Sequence, residues 1–279
     1  MNTRVLLNLA LLAAVVALAW LALRAQPPGP AADSGLALTA LAPAEVVRIG
    51  IERHGQAAVT LERVDRRWLL TAPLALPADE FRVQALLALV AARSEAGFRA
   101  AGNDLGQFGL EPPQAVLRFD DVVLAAGNTE PLSGRRYLLA DGEVHLIEDR
   151  WFSQIFGTPA AWADPRPLPA DAKPVRIVLP DASWRLHEGR WRREPPDPSL
   201  SADAGPLLAD AWRLARAITV RARDPDLPWG ERVLIELADA PAGIAFELAR
   251  VPDALVLGRP DLGLQYRFLE RQAGALLGH

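Results

Sequence analysis

From Val5 to Leu23 the chain reads VLLNLALLAAVVALAWLAL, nineteen residues whose only polar side chain is Asn8. At 1.5 Å per residue a helix of this length spans roughly 28 Å, close to the hydrocarbon thickness of a bilayer. The run has no amphipathic face and sits at the extreme N-terminus, which argues against a helix of a soluble core. Arg4 precedes it and Arg24 follows it, with no further Lys or Arg until Arg48. The positive-inside tendency then puts the N-terminus in the cytoplasm and everything after the helix outside, with Trp20 at the outer interface. A cleaved signal peptide is the alternative. Such apolar regions are usually about 7–15 residues, and the small-x-small pattern Ala17-Leu18-Ala19 lies inside the run, so an uncleaved anchor accounts better for it. Both readings export the rest of the chain. The expected organisation is a membrane anchor over residues 1–24, a Pro/Gly-rich tether over 25–37, and a folded part on the periplasmic or extracytoplasmic side of a bacterial inner membrane.

The folded part has material for a core, since 51% of the 279 residues are apolar, enough for one large domain or two modest ones. There are no cysteines, which excludes disulfides, thiolate metal sites, a cysteine nucleophile and a lipidated N-terminal cysteine. With 30 basic and 34 acidic residues the net charge is −4, so no overall field draws the chain onto nucleic acid, and no nucleic-acid partner is expected.

Two segments match in the same order. Val47-Arg48-Ile49, Trp68, Pro73, Ala78-Asp79 and an apolar helix ending near Arg93 parallel Val175-Arg176-Ile177, Trp191, Pro195, Ala202-Asp203 and an apolar helix ending near Arg216. Further on, Val116–Phe119 parallels Val233–Glu236, and Val144–Arg150 parallels Tyr266–Arg271. Each unit reads β-β-β-α-β-β-β-α. Val47, Ile49 and Ile51 alternate with Arg48, Gly50 and Glu52 at the strand period. Asp65-Arg66 turns the chain into the Trp68 strand, and Asp141-Gly142 is the strongest hairpin signal, since a type I′ turn needs two positive φ angles. Pro73 and Pro77 end the pairing, and Asp79 caps a helix that presents Phe81, Ala85, Leu86, Leu89 and Val90 on one face. The fold class expected is α+β: the transmembrane helix, then two tandem, similar antiparallel sheet-plus-helix units over 38–157 and 174–279, joined by a Pro-rich linker over 158–173.

The ordered residues Val47-Arg48-Ile49, Trp68–Pro73, Ala78-Asp79, Phe108-Gly109-Leu110-Glu111-Pro112-Pro113, Gly127-Asn128-Thr129, Tyr137 and Val144–Ile147 resemble the bacterial domain of unknown function 4340 family. The resemblance covers Leu38 to Asp149 well and the second unit loosely, and the Gly-Leu-acidic-Pro-Pro step is its most specific piece. It implies no assigned enzyme activity. It also implies an auxiliary envelope role beside ABC-type transport components related to those of gliding motility.

Single motifs point to no chemistry. His54, His145, His187 and His279 lack zinc-ligand spacing. His54 reads as a turn residue, His145 as a strand-face residue and His279 as part of the terminus. Gly127–Arg136 is the best candidate binding loop, with glycine N–H groups and two arginines, but it lacks P-loop spacing and reads better as a connector. Ser133, Ser153 and Ser183 have no nucleophile-elbow context. Asp120-Asp121 reads as a hairpin turn, because adjacent strand residues face opposite ways. The equivalent positions of Trp68 and Trp191 favour core packing, and Trp151, Trp162, Trp212 and Trp229 are read the same way over a sugar-stacking role. No catalytic, cofactor-binding or metal residue is assigned, and no cofactor is expected. The expectation is a membrane-anchored scaffold that binds a transporter-like membrane complex and is not an enzyme. A glycan- or small-ligand-binding module stays open as the alternative, and an exported hydrolase with carboxylates from both units as the second.

Overall fold

The computed structural model describes residues 35–94 and 96–278. The expected anchor, the tether up to residue 34, and His279 lie outside them. Among the described residues no helix is long and apolar enough to cross a membrane.

The chain runs β1 (Leu36–Ala37), β2 (Arg48–Arg53), β3 (Val59–Val64), β4 (Arg67–Ala72), β5 (Leu76–Pro77), helix α1 (Glu80–Val90), β6 (Arg93–Ser94), β7 (Ala96–Arg99), β8 (Ala115–Phe119), β9 (Val122–Thr129), β10 (Arg136–Ala140) and β11 (Glu143–Ile147). It continues through β12 (Pro174–Val178), β13 (Ser183–His187), β14 (Arg190–Glu194), α2 (Ala204–Leu214), β15 (Thr219–Ala222), β16 (Glu231–Leu237), β17 (Ala240–Val251), β18 (Ala254–Arg259), β19 (Leu264–Leu269) and α3 (Glu270–Leu277). A nine-stranded sheet has the order β5-β4-β3-β2-β8-β9-β10-β11-β7, and an eight-stranded sheet has the order β14-β13-β12-β16-β17-β18-β19-β15. Apart from β5, the two orders superimpose strand for strand, and the pairing is antiparallel throughout.

Local chemistry explains the elements. Asp65 and Arg66 have φ of 47° and 70°, and Asp141 and Gly142 of 47° and 76°, as two-residue hairpins require. Glu188-Gly189 makes the corresponding turn of the second sheet, at 50° and 76°. Asp79 caps α1 by accepting from Phe81 N at 3.1 Å, whereas Asp203 stands at the equivalent place without a side-chain bond. The buried stripe of α1 is Val83, Leu86, Leu87, Leu89 and Val90, and Phe81 is 74% exposed. The helical period counted from Phe81 is therefore corrected: the cap places Phe81 in the first turn, pointing away from the sheet. Each unit also carries more strands after its first helix than the expected three. β7 and β15 close the far edge of each sheet, and the stretches after Asp121 and Asp239 form the long strands β9 and β17.

Both sheets, the helices and the segment between them share one apolar cluster, which includes Phe152, Ala160, Trp162, Ala163, Leu168 and Ala172 from the connection. That connection is bonded to both sides. Asp79 N donates to Trp162 O and Asp164 N to Pro77 O, both at 2.8 Å, while Ala217 N donates to Pro165 O at 2.9 Å. The Pro159–Trp162 turn packs on β15. The proline-rich stretch is thus a strap built into both sheets.

Candidate functional site

Where β4 and β5 meet the strap and the β17–β19 end of the second sheet, a cleft of about 460 Å³ opens. Its walls are mostly apolar: Leu69, Leu76 and Pro77 from the first sheet, Leu168 from the strap, and Ile244 and Leu262 from the second. Prolines cannot donate to a ladder, which is why Pro77 ends β5 and the next stretch is free to border a cleft. The size suits a small ligand or a few residues of peptide.

The charged groups around it are tied down. Glu80 Oε1 accepts from Trp68 N at 2.8 Å. Arg166 grips Asp164, with Nε 3.0 and 2.9 Å from the two carboxylate oxygens, and this bonding pushes the Arg166 pKa up. Arg259 holds Asp261 through Nε at 2.9 Å and a terminal nitrogen at 2.7 Å, which lowers the Asp261 pKa. The same guanidinium lies 5.5 Å from the Phe246 ring centroid. Tyr266 differs. It lines the cleft at 4% exposure, and its hydroxyl, which is not sealed from solvent, makes no hydrogen bond to another described residue. Burial, ahead of the neighbouring charges, pushes its pKa up to about 12, so the group stays a neutral O–H donor. The site therefore offers apolar walls and one unpaired hydroxyl donor to an acceptor on a bound molecule.

The residues singled out from the sequence lie elsewhere. Gly127–Arg136 runs from the end of β9 into β10, and Arg136 is buried. Its guanidinium donates to Asp149 at 2.6 Å, to Gly127 O at 2.7 Å and to Gln114 Oε1 at 3.0 Å, and stacks 4.9 Å from the Phe152 ring. Glu130 organises the loop by accepting from Leu132 N and from Ser133, which lowers its pKa. A Cβ at Gly127 would fall deep inside contact distance of the Phe108 carbonyl, so this glycine serves close packing. Phe108 in turn stacks on Tyr137 with centroids 4.8 Å apart, and Gln114 Nε2 donates to Asn128 Oδ1 at 2.5 Å. The motifs of residues 108–113, 127–129 and 137 thus meet in one packing clasp. Asp120 has φ of 50° and accepts from Val47 N and Arg48 N in the β8–β9 turn. His54 lies in the turn after β2, His145 is buried on β11, and His187 ends β13. Trp68, Trp162, Trp184 and Trp212 are buried, and Trp151, Trp191 and Trp229 are half-buried. Tyr266 was visible in the sequence only as a strand residue. It entered the sequence comparison as the start of the segment that parallels Val144–Arg150, and nothing local showed the cleft.

The model of the family described as domain of unknown function (DUF4340) matches residues 68–211, just over half of the chain, from β4 across the strap into α2. No curated protein and no solved structure matches.

Proposed function

This chain belongs to the DUF4340 family, and we propose that it is a non-enzymatic binding module that holds a segment of a partner protein in the cleft between its two sheets. The observation that carries the reading is the Tyr266 side chain, 4% exposed and with no hydrogen bond from its hydroxyl to another described residue, lining an apolar cleft. A peptide carbonyl would satisfy it while apolar side chains fill the walls. Glu80, Asp164 and Asp261 each hold a hydrogen-bonded partner, which favours binding over acid–base chemistry at these carboxylates. None of the tryptophans among the described residues is fully exposed, which favours a protein segment over a glycan. The corresponding strand orders support an origin of the two units by duplication. The apolar run at residues 5–23 supports anchoring in a bacterial inner membrane, with this domain on the far side. Assignment of the partner to an ABC-transporter-like membrane complex rests on the family resemblance.

A photo-crosslinking residue placed at Leu262, on the cleft rim, tests the proposal in intact cells. The expected outcome is a product with one membrane protein, weakened roughly fivefold by Tyr266→Phe, as loss of one hydrogen bond of about 1 kcal/mol implies. The same products from the exposed loop residue Leu132, or none from Leu262, overturn it. Alkaline phosphatase joined after His279 should be active; a silent phosphatase with bright green fluorescent protein at the same place would remove the exported topology.

A further inference from the structure

On the far edge of the second sheet, facing away from the helices, lies a depression of about 470 Å³ lined by Arg176, Ser183, Arg185, His187, Arg192 and Glu194. We infer that it is a binding site for a phosphate-bearing ligand, with Arg185 and Arg192 as its cationic floor and Arg176 beside them. The register puts Arg176 opposite Arg185, and Arg185 opposite Arg192, in one row across β12, β13 and β14. Adjacent strands are only about 4.8 Å apart, and like charges placed directly opposite destabilise a sheet. His187 and Arg190 form the next row of the same face.

The first sheet gives an internal comparison, because the same strands in the same order carry opposite charges on this face. Arg48 faces Glu62 at 3.6 Å, and Arg118 pairs with Glu52 at 3.1 Å. Of the three arginines in the second sheet's row only Arg176 has such a partner, Glu236 at 2.8 Å. Among the described residues neither Arg185 nor Arg192 forms an ion pair, although the chain as a whole has a net charge of −4. Arg193, next in sequence, points to the other face and is occupied by Asp181 and the Pro195 carbonyl.

The chemistry of the lining selects the ligand. No apolar side chain lines the depression, which disfavours an acyl chain or an apolar peptide. Arginine forks bind phosphate oxygens in pairs, and Arg185 and Arg192, unpaired and opposite one another, supply two such forks to a phosphate group, while Arg176 beside them is already held by Glu236. The phosphates can belong to a soluble phosphoanhydride or to the headgroup of an acidic phospholipid, and the shared chemistry is the same.

The test uses the full chain in neutral detergent micelles, titrated calorimetrically with inorganic tripolyphosphate. Binding is expected, falling as salt is raised because the site is exposed to solvent. Arg185→Gln with Arg192→Gln should weaken it roughly tenfold or more, since each lost bidentate contact is a charge-assisted pair. The double variant should melt at or above the wild-type temperature, because it removes a like-charged pair, which separates loss of the site from loss of the fold. Arg48→Gln, on the corresponding face of the first sheet, should leave binding unchanged. Short-chain phosphatidylglycerol that displaces tripolyphosphate assigns the headgroup as the source, and failure to displace it assigns the soluble anion. No binding to the folded wild-type chain, or equal binding by the double variant, overturns the inference.

Discussion

On β11 the His145 ring lies beneath Gly97, whose missing Cβ would sit 3.5 Å from Nδ1, with Leu36 of β1 covering the same spot. The residue is 3% exposed, and Nδ1 is buried without a hydrogen-bond partner. Burial is the main cause that lowers its pKa below the ordinary 6.5, and Glu143 opposes it more weakly. The unfolded chain therefore takes up the proton first as pH drops. Its extra proton uptake lowers stability progressively from pH 6.5 down toward the folded value, and above 6.5 the loss vanishes. His145→Leu removes the titration. The expected outcome is that urea midpoints of wild type fall more steeply between neutral pH and the onset of carboxylate protonation than those of the variant. Parallel slopes would show that the imidazole is solvated. The sequence marked His145 as a strand-face residue, but its cover comes from Leu36 and Gly97, which are far away in sequence.

Turns and caps were the most legible elements, because one or two residues decide them. Asp141-Gly142, Asp65-Arg66 and Asp79 act where their backbone chemistry dictates. Edge strands were the least legible. β7 reads Ala-Gly-Phe-Arg and β5 only Leu-Pro, so neither has a period of its own, and both exist because a neighbouring strand offers an unpaired edge. The clasp between the Leu105–Phe108 turn and β9 belongs to this scale. A Cβ built on Gly127 would run into the Phe108 carbonyl and come within 3.0 Å of Leu110, both close enough to forbid a methyl group. Gly127→Ala has to push the turn off the strand, a loss of about 1–3 kcal/mol in overpacking. Gly142 provides the comparison. Its φ is 76° and nothing lies within 4 Å of a Cβ there, so Gly142→Ala costs only the left-handed backbone strain, about 1 kcal/mol. Chemical denaturation of both variants should rank Gly127→Ala as the more damaging; the reverse order would mean that the clasp gives way freely.

At the scale of the molecule, the recurrence of Val-Arg-Ile, Trp and Ala-Asp foreshadowed the shared strand order, while the cleft stayed hidden because its walls come from residues 67–80, 163–171 and 244–266. The proline-rich connection read as a linker for the same reason: its role lies in contacts with partners distant in sequence. Trp162 is the centre of that role. It is 0% exposed, its carbonyl accepts from Asp79 N on the first side, and its turn packs on β15 on the second. A domain pair joined by a loose linker unfolds in two steps, but a strap inside a shared core couples them. Wild type should therefore unfold in one transition, with equal calorimetric and van't Hoff enthalpies, although chains of this length commonly populate intermediates. Trp162→Ala removes the largest side chain of the strap, a loss of about 3–5 kcal/mol concentrated at the junction. Its expected trace is two resolved transitions, the sheets now melting separately. Two transitions already present in wild type, or a single lowered one in the variant, would show that the strap is not what joins the sheets.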